Sequence, residues 1–171
     1  MILYLPGYSA KNKVEQQIMS KAFTSEGYEV FLHEWKHWSD ESIDLNIEDE
    51  MELISQAIQG KSIEAIVAKS IGTYVAARLI WSRLIDPQKI ILLGIPLNDL
   101  DRDEKELMQL SLRRVQGKSF LIHNSKDPHG SVDDLNGLVR DIRLEVILKE
   151  AENHDYLYPE DVLSILKSKM V

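Results

Sequence analysis

Six short apolar runs alternate with amphipathic segments along this chain, and the connections between successive runs are too long for hairpins. The runs are Ile2 to Leu5, Tyr28 to Leu32, Ile63 to Val67, Lys89 to Leu93, Ser119 to His123 and Arg143 to Leu148. Between them apolar residues recur at helical spacing. Val14, Ile18, Met19, Ala22 and Phe23 precede Gly27, and Ile47, Met51, Ile54 and Ile58 lie between a cap at Asn46 and a stop at Gly60. Gly72 to Leu84 ends ahead of Asp86-Pro87; Leu107, Leu110 and Val115 end at Gly117. Ser131 to Asp134 has capping-box spacing, and Pro159 opens a last helix carrying Val162, Leu163 and Leu166. Strands joined through helices run parallel, and a parallel sheet is covered on both faces. The expected fold is α/β: a doubly wound, mostly parallel six-stranded sheet with helices on both faces. Placing the first strand between the second and third is the economical winding. It opens a crevice at the carboxyl ends of strands one and three, where ligands bind in such sheets.

A chain of 171 residues, 44% apolar and 28% charged, is expected to form a single domain over 1–171 with one sizeable core. A net charge of −8 opposes nucleic-acid binding, which draws its affinity from cations on phosphates. The apolar runs are too short to span a bilayer, so no membrane association is expected. Met1 leads directly into Ile2-Leu3-Tyr4-Leu5-Pro6 with no basic leader, which makes the cytoplasm the expected location. The absence of cysteine excludes disulfides and thiolate metal sites.

One segment stands out chemically. Ile63 to Val67 runs into Ala68-Lys69-Ser70-Ile71-Gly72 and then into helix. A serine at a sharp strand-to-helix turn presents its hydroxyl above the sheet, provided the residues two before and two after are small; Ala68 and Gly72 are. The amide of Ile71, at the helix start, is placed to meet an oxyanion. Ser70 is thus a candidate nucleophile, and it needs a base and a group to orient that base. The loop after the fifth strand holds Asp127, and the loop after the sixth holds His154. The order Ser70, Asp127, His154 is the one expected for an elbow serine. Asp99 or Asp101, after the fourth strand, is the alternative acid.

On these residues the chain resembles the α/β-hydrolase superfamily, and is similar to its small capless serine hydrolases such as compact bacterial esterases. Leu5-Pro6-Gly7-Tyr8 resembles the family's Leu-His-Gly loop, Ala68 to Gly72 its nucleophile elbow, Ser125-Lys126-Asp127-Pro128 its acid loop and Asn153-His154 its histidine loop. Ala68, Pro6 and Asn153 depart from the usual glycine, histidine and glycine. The resemblance implies hydrolysis of a small carboxylic ester or thioester through an acyl-enzyme, with the amides of Ile71 and Tyr8 as oxyanion hole and no cofactor. Lys69, Trp35 and Tyr156 are candidate pocket walls.

Two other readings compete. His33-Glu34-Trp35-Lys36-His37 matches the His-Glu-x-x-His zinc pattern, which needs a helix to bring both imidazoles to one face, yet it falls where a strand runs into a loop. The fold also serves as a non-catalytic binding module, for which the acidic surface and the Trp35 to Trp38 loop would provide contacts. Lys-Ser pairs at Lys61-Ser62 and Lys118-Ser119 precede strands and lack the leading glycine of a phosphate loop.

Overall fold

The computed structural model describes residues 1–40 and 42–168. Its six strands form one sheet, β1 (Ile2–Leu5), β2 (Val30–Leu32), β3 (Ala65–Lys69), β4 (Lys89–Leu93), β5 (Ser119–Asn124) and β6 (Glu145–Lys149), in the order β2-β1-β3-β4-β5-β6. Every pairing is parallel. The first strand lies between the second and third, as the economical winding predicts, so the order reverses between β1 and β3.

Helices α1 (Asn12–Ser25), α2 (Ile47–Ile58), α3 (Ile71–Trp81), α4 (Arg102–Arg114), α5 (Val132–Val139) and α6 (Pro159–Lys167) cover both faces. Alternation along the strands divides the core accordingly. Leu3, Leu5, Ile66, Ala68, Ile90, Leu92 and Leu121 pack with α2 to α5. Ile2, Tyr4, Ala65, Val67, Ile91, Leu93 and Ile122 face α1 and α6 through Met19, Phe23, Val162 and Ile165. Local chemistry sets the helix starts. The side chain of Asn46 accepts from the amides of Glu48 and Asp49, while Asp101 and Ser131 form capping boxes with Glu104 and Asp134.

Two boundaries differ from the periodicity. β3 begins and ends two residues later than the run Ile63 to Val67, because Lys69, which reads as turn, continues the ladder opposite Leu93. Helix α3 stops at Trp81 rather than Leu84. Arg83 turns into the left-handed region at φ 58°, and the amide of Leu84 closes back on Leu79 O at 3.0 Å. Among the described residues no helix is long and apolar enough to cross a membrane.

Candidate active site

Because the sheet is parallel, the segments after β1, β3, β5 and β6 all emerge at one edge. Ser70 sits between β3 and α3 with φ 52° and ψ −124°, a conformation L-residues avoid at a cost of order 1–3 kcal/mol. Three contacts hold it there. Its amide donates to Leu93 O at 3.0 Å, and its carbonyl accepts from the Thr73 amide at 2.8 Å and the Thr73 hydroxyl at 2.6 Å. Gly72 allows the close crossing. A Cβ on Gly72 would lie 2.4 Å from Leu5 O, so only glycine lets α3 cross the end of β1. The amide of Ile71, at the start of α3, donates to no acceptor among the described residues, and neither does the amide of Tyr8.

His154 and Asp127 meet. Nδ1 of His154 lies 2.7 Å and 2.9 Å from the two Asp127 carboxylate oxygens. Since a carboxylate only accepts, Nδ1 is the donor of this pair, which in the neutral ring leaves the lone pair on Nε2. Nε2 is buried and has no hydrogen-bond partner, and the Ser70 hydroxyl makes no bond to it. Burial pushes the Asp127 carboxyl up, but hydrogen bonds from His154, from the Tyr156 hydroxyl and from the His129 amide outweigh it and hold the group below the usual carboxylate range. Asp99, the alternative acid, pairs instead with His129 Nδ1 at 2.6 Å, and Asp101 caps α4. The rings of His129 and His154 lie 4.3 Å apart.

The three residues expected to wall a pocket are buried and turned to polar partners. Lys69 is buried, paired with Glu15, and donates to Asn12 Oδ1 at 2.9 Å. Asn12 in turn donates to Ser9 O at 2.8 Å, so the lysine beside the serine braces the loop after β1. Trp35 is buried in the core, and its indole N–H donates to Gly7 O at 3.0 Å. Tyr156 is fully buried; its hydroxyl donates to Asp127 Oδ2 and accepts the Asn124 amide at 3.1 Å. Burial raises the Tyr156 phenol well above its ordinary value, so it stays a donor. Gly94 makes room for the ring: at φ 58° it bears no Cβ, and one would lie 2.0 Å from Tyr156 Cε2. Asn124, which sequence reasoning missed, hangs the histidine loop by donating to Asn153 O at 2.9 Å and accepts from Tyr158 at 2.7 Å.

The His-Glu-x-x-His segment is no helix: it leaves β2 and enters a 3-10 turn at Lys36–Trp38. Nε2 of His33 meets Glu50 Oε2 at 2.9 Å, whereas Nε2 of His37 meets Tyr8 O at 2.8 Å. The two imidazoles are committed to different partners, which removes the zinc geometry. Burial lowers His33 despite Glu50 beside it. No group of three His, Asp or Glu side chains suited to a metal occurs among the described residues. A cavity of about 380 Å³ opens beside the loop after β1, lined by Tyr8, Ser9, Lys11, His37 and Ile43. A larger one of about 530 Å³, between α4 and α5, includes none of the site residues.

No protein-family model matches the sequence, and no curated protein does. Solved structures do resemble it. A metagenome-derived lipolytic enzyme superposes with TM-score 0.76 at 12% identity, covering 97% of this chain and 92% of that one. The esterase domain of a Rhodothermus marinus protein gives 0.71 at 13% identity over 97% and 82%. A lidless α/β serine hydrolase from Xanthomonas campestris gives 0.70 at 13% identity over 97% and 78%. These likenesses show that the chain has the α/β-hydrolase fold.

Proposed function

We propose that this α/β-hydrolase-fold chain is a serine hydrolase that cleaves small carboxylic esters or thioesters through an acyl-enzyme. The observation that carries the reading is the backbone of Ser70: a non-glycine residue held at φ 52° on a strand-to-helix turn, with the next amide unpaired at a helix start. In this reading the Ser70 hydroxyl attacks the acyl carbonyl and passes its proton to His154 Nε2. Asp127 holds the imidazole in the tautomer that can accept it. The carbonyl oxygen, now anionic, is met by the amides of Ile71 and Tyr8. Collapse expels the alcohol or thiol with the proton from His154, and water then releases the acid by the same route.

Nε2 of His154 and the Ser70 hydroxyl close on each other when substrate occupies the crevice, as catalytic hydrogen bonds commonly tighten only in the complex. The esterase, lipolytic and serine-hydrolase activities named for the similar structures support hydrolysis as the reaction class. A fluorophosphonate probe tests the reading. Wild type is expected to label stoichiometrically and Ser70→Ala not at all; labelling that persists in the variant overturns it.

A further inference from the structure

The segment His33 to Trp38 carries no metal geometry, and its rings instead hold the loop after β1. Trp35 Nε1 donates to Gly7 O at 3.0 Å, while His37 Nε2 and Trp38 Nε1 donate to Tyr8 O at 2.8 Å and 2.7 Å. The Tyr8 ring also stacks on His37, with centroids 4.3 Å apart and planes 21° from parallel. The segment is itself fixed from both sides. Gln16 of α1 donates to His33 O at 2.7 Å, and buried Glu50 of α2 accepts from the Lys36 amide at 2.8 Å and pairs with His33. The His33 ring meets Trp35 edge-on at 4.5 Å.

The covalent geometry of the peptide unit gives the Trp35 contact a specific consequence. Gly7 C=O and Tyr8 N–H belong to one planar trans unit, so the two groups point in opposite directions. Fixing the carbonyl fixes the amide. We propose that Trp35 is a positioning residue for catalysis: its indole N–H, by binding Gly7 O, aims the Tyr8 N–H away from the core and presents it to the oxyanion. This rests on the serine-hydrolase reading above. His37 and Trp38 grip the following peptide, whose amide is that of Ser9, so they steady the loop without setting the direction of the Tyr8 amide.

Trp35→Phe keeps an aromatic ring in the core and removes the donor. Expected are a fall of about 10- to 100-fold in the rate of fluorophosphonate labelling and in kcat for p-nitrophenyl butyrate, with KM within about threefold. Affinity for a trifluoromethyl ketone, whose adduct carries the oxyanion, is expected to fall by the same factor as kcat/KM. Trp38→Phe, with His37 still on Tyr8 O, is expected to lose far less. Should Trp35→Phe not fold, the benzothiophene analogue of tryptophan placed at position 35 alone keeps the ring's shape and lacks only the N–H. Labelling rate and ketone affinity within twofold of wild type in a folded variant overturn the inference, and so does an equal loss in Trp38→Phe. If instead Ser70→Ala still labels and hydrolyses, the serine-hydrolase reading fails first and the inference falls with it.

Discussion

Two aspartate–histidine pairs stand side by side at the carboxyl edge of the sheet, with the same chemistry and opposite surroundings. In the first, the Asp127 side chain is 0% exposed and that of His154 17%. In the second, the figures are 57% for Asp99 and 43% for His129. Both Asp127 oxygens face Nδ1 of His154, and the carboxylate also accepts from the Tyr156 hydroxyl and the His129 amide. Asp99 and His129 also meet directly, at 2.6 Å, but both side chains lie largely in solvent, which screens the attraction. The difference teaches that an aspartate–histidine contact by itself orients nothing. Orientation comes from donors that arrive on fixed backbone and from a buried ring such as Tyr156.

The comparison breaks most plainly at Asp127. Asp127→Asn is expected to lower kcat by about 10³- to 10⁴-fold, since the amide no longer selects the tautomer with Nε2 free, whereas Asp99→Asn is expected to change kcat/KM by less than about twofold; steady-state hydrolysis of a p-nitrophenyl ester measures both. Equal losses would make the two pairs one functional unit. The same contrast extends to pH. Asp127 is held below its ordinary range, so its stabilising contribution is complete above about pH 4 and is lost as pH falls through the depressed folded value. Thermal midpoints of wild type and Asp127→Asn should therefore converge in acid. A smaller effect separates the ring from its hydroxyl: Tyr156→Phe leaves the Asn124 amide without its acceptor, and is expected to cost about 1–2 kcal/mol by urea unfolding and about tenfold in kcat.

Most elements were legible in the sequence because alternation and helical spacing are set by burial, which one chain displays directly; of the sheet order only the first strand's place between the second and third was, since the other neighbours are chosen by tertiary packing. Asn46, Ser131 and Pro159 announced their helices by local chemistry alone. The β3 boundary was not legible, since a lysine signals turn unless a carboxylate is buried beside it, and Glu15 lies 54 positions away. The site divided in the same way. Ser70 could be singled out because the constraint on Ala68 and Gly72 is local. The placement of Lys69, Trp35 and Tyr156 could not, because an aromatic or cationic residue near a loop looks the same whether it lines a cavity or donates inward to Gly7 or Asp127. The His-Glu-x-x-His match misled for that reason: its spacing is a statement about helices, and the backbone there is not one.

The crossing of α3 over β1 has a mechanical consequence. With Gly72 seated against the carbonyl of Leu5, the segment carrying Ile71 and the one leading to Tyr8 are fastened at a single point a few residues from either amide. Motion of β1 is therefore expected to carry the two amides together, which matched hydrogen-exchange protection at Ile71 and Tyr8 would report.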